Sequence, residues 1–392
     1  MKRLIPVFLL AACGVPEGAA VEVRRDALDA VTGFGSNPGA LKMFRYVPAG
    51  LEAGRPVVLV LHGCGDTANN FSTAWSTWTT LADARRFSLV YPEQQTANNS
   101  GGCFNWFESG DQLRDQGELL SMKQMADKTI ADTQGASKWF VVGFSAGAAS
   151  AVNLLAAYPD VISAGAVAAG VAYRCAQNVT DAFNCMGGSG GQTPATWATR
   201  ARQAFPSFSG TWPRVSIWHG LNDMTVVPSN RVELVEQWTE LHGGDQTADG
   251  SANIASGGMR SQYRGSGADV VVELNEVPGL GHVVRLGWAT DMADFFGLTA
   301  PAPMDAGMTG GGGGSGGTGG SGGSGAAGGA PNGGGNGGGN GGGETSSGGG
   351  SGASAGGSGG GGGTEAPPSG CATVPGIAGL SALALLLKRR RV

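Results

Sequence analysis

A serine, an aspartate and a histidine each follow a predicted strand, in an order suited to nucleophilic catalysis. Ser145 lies in Gly143-Phe-Ser-Ala-Gly147, Asp223 ends the run Trp218-His-Gly-Leu-Asn-Asp223, and His282 ends Gly279-Leu-Gly-His282. A serine hydroxyl becomes a strong nucleophile when an imidazole removes its proton, and a carboxylate holds that imidazole in the required tautomer. The three residues therefore predict acyl transfer through an acyl-serine, which water then hydrolyses.

The motif around Ser145 can work only if a strand turns sharply into a helix there. An apolar run at 139–142 precedes it, and small residues with helical spacing follow at 146–158. Strand, tight turn and helix are the context of a nucleophile elbow, and the order Ser, Asp, His is that of α/β-hydrolases. In a chain with 73 glycines the alternative is a plain turn in which Ser145 only caps the helix.

Other residues compete for the roles of acid and base. Asp269, Asp291 and Asp294 are rival acids, but none directly follows a strand upstream of the histidine. His62 could be mistaken for the base. Its place beside a predicted oxyanion loop favours a structural role instead.

Two backbone N–H groups are candidates for an oxyanion hole. The strand at 56–61 runs into His62-Gly-Cys-Gly65, where the glycines allow close approach to a ligand. In α/β-hydrolases one donor comes from such a loop and the other from the residue after the nucleophile. We expect Cys64 and Ala146 to supply these N–H groups.

Apolar strands and helical segments alternate along the chain. Strands are predicted at 41–47 (as the first edge strand), 56–61, 88–91, 139–142, within 161–172, 213–218 and 270–274, and helices at 74–87, 116–134, 146–158 and 230–241. This alternation predicts an α/β-hydrolase fold, with a mostly parallel central sheet and helices on both faces.

The loop after the strand at 88–91 is long, polar and rich in glycine, and it ends in aromatic residues. Long loops at the mouth of a sheet often line substrate sites, so Asn105 and Trp106 are predicted substrate contacts. The alternative is that these aromatics form a small core of their own beneath the loop. Trp75 and Trp78 are expected near the same mouth.

Six cysteines are present, and four of them lie in the globular part: Cys64, Cys103, Cys175 and Cys185. In an exported chain these four can pair in three ways. Pairing of Cys64 with Cys103 and of Cys175 with Cys185 is favoured. The first bond would tie the oxyanion loop to the aromatic loop.

Composition limits the partners of the chain. Its formal net charge is −5, and the only dense basic cluster is at 388–391, which argues against nucleic acid. No zinc-type CxxC spacing, HExxH helix or Walker motif is present, so neither a metal nor a cofactor is expected. A monomer is expected.

The N-terminus has the pattern of an export signal. Residues 1–12 combine a basic start with a short apolar core, and Leu10-Ala-Ala-Cys13 resembles a lipobox, with Cys13 as the lipidated residue. The alternative is an ordinary signal with an incidental cysteine. A connection at 13–30 and a catalytic domain at 31–303 are predicted to follow.

The C-terminal part has an unusual composition. Residues 304–368 are almost only small and polar, which predicts a flexible linker. At 369–392, Gly-Cys371, a short apolar run and a basic cluster resemble the tripartite sorting tail of myxobacterial surface proteins. A plain membrane anchor is the alternative, although the run is shorter than a spanning helix needs.

A set of sequence blocks gives a more specific resemblance. In order they are Leu61-His-Gly-Cys-Gly-Asp66, Tyr91-Pro-Glu-Gln94, Cys103-Phe-Asn-Trp-Phe107, Gly143-Phe-Ser-Ala-Gly147, Tyr158-Pro-Asp160, Ala164-Gly-Ala-Val-Ala-Ala-Gly170, Trp218-His-Gly-Leu-Asn-Asp223 and Gly279-Leu-Gly-His282. They resemble the esterase family of polyhydroxybutyrate depolymerases, which is similar to the feruloyl and acetylxylan esterases of carbohydrate esterase family 1. The resemblance spans about 41–296.

This resemblance implies a secreted serine esterase with Ser145, Asp223 and His282 as its triad, acting on polymer-linked esters. The substrate would be a polyhydroxybutyrate-type polyester or an acylated polysaccharide, and the enzyme would be extracellular or attached to the cell envelope. A non-catalytic binding module and a serine peptidase are the alternatives. Ala148, where glycine is expected, and Val283-Val284, where small residues are commoner, depart from the family pattern and leave the shape of the cleft open.

Overall fold

Short apolar strands alternate with helices along the chain. A computed structural model describes residues 28–299. Its strands are β1 (Asp29–Val31), β2 (Lys42–Tyr46), β3 (Val57–Leu61), β4 (Ser88–Glu93), β5 (Trp139–Phe144), β6 (Ile162–Ala168), β7 (Arg214–Gly220), β8 (Gly250–Asn253), β9 (Met259–Arg264) and β10 (Val270–Val277). Its α-helices are α1 (Ala68–Ala74), α2 (Thr77–Arg85), α3 (Gly117–Thr133), α4 (Ala146–Ala157), α5 (Val179–Met186), α6 (Pro194–Arg202), α7 (Ser229–Leu241) and α8 (Trp288–Phe296).

The ten strands form one sheet in the order β1-β2-β4-β3-β5-β6-β7-β10-β9-β8. Its six central strands, from β4 to β10, pair in parallel, and the two strands at each edge pair antiparallel. Parallel strands bring their carboxyl ends to one edge of the sheet, where α/β folds place their crevices. The loops after β3, β5, β7 and β10 therefore meet at this edge.

Both faces of the sheet are covered. In β3 the side chains of Val57, Leu59 and Leu61 face one core, and those of Val58 and Val60 face another, because neighbouring residues of a strand point to opposite faces. The first core receives α3, α4, α6 and α7, and the second receives α1, α2 and α8. The predicted α/β-hydrolase architecture is confirmed.

Some elements differ from the sequence-based expectation. The strand predicted as the edge, β2, has β1 outside it, and β1 begins two residues before the predicted start of the domain. The hairpin of β8 and β9 was not predicted, because its exposed polar residues carry no apolar alternation. The helix predicted at 74–87 is two helices, because α1 ends at Ala74 and α2 begins at Thr77.

The predicted signal, Cys13, the linker and the tail with Cys371 lie outside the described residues. Of the connection predicted at 13–30, only residues 28–30 are described. No helix within 28–299 is long and apolar enough to cross a membrane.

The turn from β5 into α4 packs more tightly than a side chain would allow. A Cβ on Gly147 would overlap the carbonyl oxygens of Leu61 and His62, and a Cβ on Gly143 would overlap the backbone of Gly147. The two glycines of the motif therefore let the first turn of α4 rest directly on the end of β3. This contact places the residue between them beside the oxyanion loop.

We predict that Gly147→Ala destabilises the protein by about 2 kcal/mol or more, because the new methyl group meets backbone atoms that cannot rotate away. Thermal unfolding followed by circular dichroism measures this loss. Gly110→Ala is the matched control, because Gly110 has a negative φ and no atom within 4 Å of an added Cβ. Equal melting temperatures for the two variants would contradict the prediction.

Candidate active site

Ser145 occupies the turn between β5 and α4 in a backbone conformation that is rare for serine. Its φ is 55° and its ψ is −120°. A non-glycine residue adopts such a conformation only where the surrounding structure holds it. The Ser145 N–H donates to the carbonyl of Ala168 at 3.0 Å, which ties the turn to the end of β6. This is the geometry expected of a nucleophile elbow.

The structure brings the three predicted residues together through two hydrogen bonds. His282 Nε2 lies 2.8 Å from Ser145 Oγ, and His282 Nδ1 lies 2.7 Å from Asp223 Oδ2. An ionised carboxylate can only accept, so Nδ1 carries the proton and Nε2 is free to accept the serine proton. The imidazole is thus in the tautomer that a general base requires.

Asp223 is held ionised although it is only 2% exposed. Burial works to raise the pKa of its carboxyl, but the hydrogen bond from His282 opposes this, and Oδ1 accepts from the N–H groups of Thr225 (2.8 Å) and Val226 (2.9 Å). The net result is a pKa below the ordinary value. A negative charge therefore faces the imidazole.

The loops that carry the acid and the base are joined backbone to backbone. Asn222 N donates to Leu280 O at 2.9 Å, and Leu221 N donates to Val277 O at 3.0 Å. Gly220 has to be glycine here, because a Cβ would overlap the carbonyl of Leu280. These contacts set the distance between Asp223 and His282 before their side chains meet.

The rival acids lie elsewhere. Asp291 pairs with Arg260 at 3.1 Å and Asp294 pairs with Arg85 at 2.6 Å. Asp269 precedes the first residue of β10, at the opposite end of that strand from His282.

His219 is a residue of the site that the sequence did not single out beyond its place before the acid. It is fully buried, and its Nε2 donates to the carbonyl of Val226 at 2.8 Å, since a carbonyl can only accept. Burial lowers the pKa of His219, which keeps the ring neutral. It therefore braces the loop whose N–H groups bind Asp223. Its place in the strand immediately before the acid was the available signal.

The two predicted oxyanion donors are unpaired. Within residues 28–299 neither the Cys64 N–H nor the Ala146 N–H donates a hydrogen bond. The first N–H groups of a helix have no partner inside it, which explains Ala146. A Cβ on Gly63 would lie 3.5 Å from the Cβ of Ser145, so the loop of Cys64 is adjacent to the nucleophile.

Two disulfides are formed, in the connectivity that the sequence favoured: Cys64 with Cys103, and Cys175 with Cys185. The first joins the oxyanion loop to the loop after β4. Gly65 N also donates to Gly102 O at 3.2 Å between the same two loops. The backbone beside Ser145 is therefore fixed both covalently and by hydrogen bonding.

The two predicted substrate contacts differ in exposure. Trp106 is 6% exposed and belongs to a small core with Phe107 and Ala146, which is the alternative that the sequence left open. Asn105 is half-buried: its N–H donates to Glu118 and its Oδ1 accepts from Asn99 at 2.8 Å. Its remaining amide hydrogens have no partner among the described residues.

Trp75 and Trp78 are expected near the mouth, but neither has exposed surface with which to contact a substrate. Both are fully buried in the core formed by α1, α2 and α8. Trp75 Nε1 donates to Arg285 O at 3.1 Å, in the loop that also carries His282. The pattern of tryptophans in a helix did not distinguish a cleft from a core.

The departures from the family pattern have different consequences. Ala148 is fully buried, and a Cβ on Gly170 would lie 3.0 Å from its methyl group, so Ala148 fills space in the core. Val283, directly after His282, is 51% exposed, whereas Val284 is partly buried against the core that α1, α2 and α8 cover.

A buried carboxyl, which no sequence pattern indicated, lies behind the oxyanion loop. Glu118 accepts from Gln94 Nε2 (2.6 Å), Asn98 Nδ2 (3.2 Å) and Asn105 N (2.8 Å). Burial, with the charge of Asp111, raises its pKa to about 8 despite these donors. Glu118 is removed from water by the loop after β4, which is distant from it in sequence. Its position in α3 therefore did not indicate that it would be buried.

The parallel sheet, the strained elbow and the hydrogen-bonded Ser, His and Asp define an α/β-hydrolase. The family model described as "Esterase PHB depolymerase" matches residues 41–263. The chain belongs to this family.

Individual relatives agree with this assignment. The chain is 44% identical over 257 residues to poly(3-hydroxyalkanoate) depolymerase C of Paucimonas lemoignei, a match that covers 65% of this chain and 61% of the relative. It is 32% identical over 289 residues to an acetylxylan esterase of Coprinopsis cinerea, covering 71% and 75%. Among solved structures, an acetyl xylan esterase from Aspergillus awamori matches with a TM-score of 0.64 and 28% identity, covering 70% of this chain and 100% of that one.

We predict that Glu118 makes the stability depend on pH. Its pKa is about 8 in the folded protein against an ordinary value of 4.5, so the folded state binds the proton more tightly. This contribution to the free energy of unfolding is present at pH 4.5 and below, and it is lost as the pH rises to 8. Because Glu118→Gln cannot titrate, the melting temperature of the wild type relative to this variant should be highest near pH 5 and fall toward pH 8.

The exposed residue Gln116 provides the control: its amide does not titrate, so Gln116→Ala should differ from the wild type by an amount that does not change with pH. A difference between wild type and Glu118→Gln that is constant from pH 5 to 8 would contradict the prediction.

Proposed function

We propose that this chain is a serine esterase that hydrolyses ester bonds of a polymeric substrate through an acyl-Ser145 intermediate. The observation that carries this proposal is the hydrogen-bonded series from Asp223 through His282 to Ser145 Oγ, at 2.7 and 2.8 Å. Membership of an esterase family supports the same class of reaction.

The proposed first step forms the acyl-enzyme. His282 Nε2 takes the hydroxyl proton while Ser145 Oγ bonds to the carbonyl carbon, and the electron pair of the C=O bond moves to oxygen. The N–H groups of Cys64 and Ala146 donate to that oxyanion. The C–O bond to the alcohol then breaks, and the imidazolium returns its proton to the leaving oxygen.

Water completes the proposed cycle. It adds to the acyl carbon as His282 accepts its proton, and the same two donors hold the second oxyanion. Collapse releases the carboxylic acid and returns the proton to Ser145 Oγ. The ionised carboxylate of Asp223 stabilises the imidazolium in both halves, which agrees with its depressed pKa.

A polyester of hydroxyalkanoate type is the substrate that we propose first. The depolymerase relative has 44% identity, compared with 32% for the acetylxylan esterase. Exposed apolar side chains stand beside the reacting groups: Met224, next to Asp223, is 92% exposed, and Val283, next to His282, is 51% exposed. Such a rim suits an apolar solid better than a hydrated polysaccharide. Acetylated or feruloylated polysaccharide is the alternative.

We further propose that the enzyme works outside the cell, attached to the envelope through Cys13 or through the tail at 369–392. Two disulfides in a chain of this size favour an oxidising compartment.

We predict that Ser145→Ala lowers kcat on p-nitrophenyl butyrate by at least about 10⁴-fold, because no other group can form the acyl-enzyme. Labelling by a fluorophosphonate should be lost with it. Ser150→Ala is the matched control: Ser150 is also a buried serine of α4 and has no hydrogen-bond partner among the described residues. Turnover retained in Ser145→Ala would refute the proposed mechanism.

We predict that the double variant Met224→Ser, Val283→Ser loses most hydrolysis of polyhydroxybutyrate granules and much less turnover of p-nitrophenyl butyrate, because a soluble ester needs no adsorption. Val232→Ser, which removes a similarly exposed valine on α7, should leave both rates unchanged. Parallel assays on granules, acetylated xylan and methyl ferulate measure the preference. Faster wild-type hydrolysis of either polysaccharide-type ester than of the polyester would favour the alternative substrate.

A further inference from the structure

His62 is a buried histidine outside the Ser, His and Asp set, and both of its ring nitrogens have defined partners. It is 1% exposed. The backbone N–H of Gln94 points to Nε2 at 3.1 Å, and the carbonyl oxygen of Gly63 lies 2.7 Å from Nδ1. An N–H can only donate and a carbonyl can only accept. Therefore Nε2 is unprotonated, and Nδ1–H donates to Gly63 O.

This second hydrogen bond acts on the peptide unit that carries one of the proposed oxyanion donors. The Gly63 carbonyl and the Cys64 N–H belong to the same peptide, which is planar and trans, so they point in opposite directions. Fixing the oxygen on His62 therefore fixes the direction of the N–H. Within the described residues that N–H has no partner of its own.

The peptide needs such a restraint because of its neighbours. Glycines at 63 and 65 flank Cys64, and glycine resists backbone rotation least of all residues. Apart from His62, the Gly63 carbonyl accepts, among residues 28–299, only a long bond from Asp66 N, at 3.4 Å. The Cys64–Cys103 disulfide restrains the side chain of Cys64 without setting the plane of the preceding peptide.

His62 is in turn held from behind by the loop after β4. Its ring packs on Phe104 with 4.6 Å between centroids. Gln94, whose N–H fixes the tautomer, donates from Nε2 to the carbonyl of Cys103 at 2.9 Å and to Glu118 at 2.6 Å. The same loop thus holds Cys64 through its sulfur and His62 through its ring.

We propose that His62 is a positioning residue for the reaction: its Nδ1–H orients the Gly63–Cys64 peptide so that the Cys64 N–H meets the oxyanion that forms at Ser145. This inference rests on the proposed function. His62 takes no proton from the substrate, because Nε2 is occupied by Gln94 and Nδ1 already carries hydrogen. Its contribution is confined to the transition state, where the oxyanion exists.

Two amide variants separate the hydrogen bond from the bulk of the ring. His62→Asn places an amide nitrogen where Nδ1 stands and keeps a donor to Gly63 O, whereas His62→Gln places its amide near Nε2 and loses that donor. For p-nitrophenyl butyrate we expect His62→Gln to lower kcat by about 10- to 100-fold. Removing one oxyanion donor altogether lowers kcat by roughly 10²–10³-fold, and here the donor is only misdirected. The KM of His62→Gln should stay within about twofold of the wild-type value. The kcat of His62→Asn should stay within about threefold of the wild-type kcat.

Three further readouts exclude a merely structural role. Active enzyme is counted by fluorophosphonate labelling, so that misfolded protein does not enter kcat. Inhibition by a boronic acid, whose tetrahedral adduct imitates the oxyanion, should weaken in His62→Gln by the same factor as kcat. The pH profile of kcat/KM should keep its shape, because His62 is not the base.

His242→Ala is the matched control. It removes another histidine bonded to a backbone carbonyl, at the opposite end of β7 from the site, and should leave kcat unchanged.

Wild-type kcat and boronate affinity in folded His62→Gln would overturn the inference, as would an equal loss in His62→Asn and His62→Gln. If His62→Gln does not fold, His62→Leu takes its place with the same expected loss. The proposed function fails separately: it fails if the wild type does not turn over the ester, or if Ser145→Ala does so, whatever the His62 variants show.

Discussion

The site depends on one imidazole that bonds to two residues from different loops. His282 meets Ser145 at 2.8 Å and Asp223 at 2.7 Å, and these three side chains follow three different strands. Both distances can be short only if β5, β7 and β10 end at the same edge of the sheet and the loops that follow them are rigid. The close contact of Gly220 with the loop of His282 fixes the position of that loop. The strained φ of Ser145 directs its hydroxyl toward the imidazole.

Stiffness on the oxyanion side has a different source. There the backbone is held by polar groups that are buried together: His62, Gln94 and Glu118, with the Cys64–Cys103 disulfide crossing between the same loops. Buried polar groups are costly unless each finds a partner, and when satisfied they specify one arrangement. In this part of the fold, buried polar side chains take the place of apolar ones, and their hydrogen bonds fix the direction of the backbone beside the nucleophile.

The parts of this arrangement that the sequence could predict are those with local signals. The central strands β3 and β5 carry no charged or hydroxyl side chain because both faces of the sheet are covered, and the glycines around Ser145 mark a turn with no space for side chains. The role of Glu118 had no such signal, because its burial and hydrogen bonds come from a loop distant in sequence, and His219 had only its place before the acid. For the same reason no sequence pattern places Trp75, which follows α1, and Trp78 of α2 in the core, because α8, which covers them, is distant in sequence.

Rapid quenching of the enzyme during turnover of p-nitrophenyl butyrate, followed by peptide mass spectrometry, tests the central claim most directly. A butyryl group on the peptide that contains Ser145, formed at a rate equal to or faster than turnover, is the expected result. Steady turnover with no acylated peptide, or with the acyl group on another residue, would contradict an acyl-Ser145 intermediate.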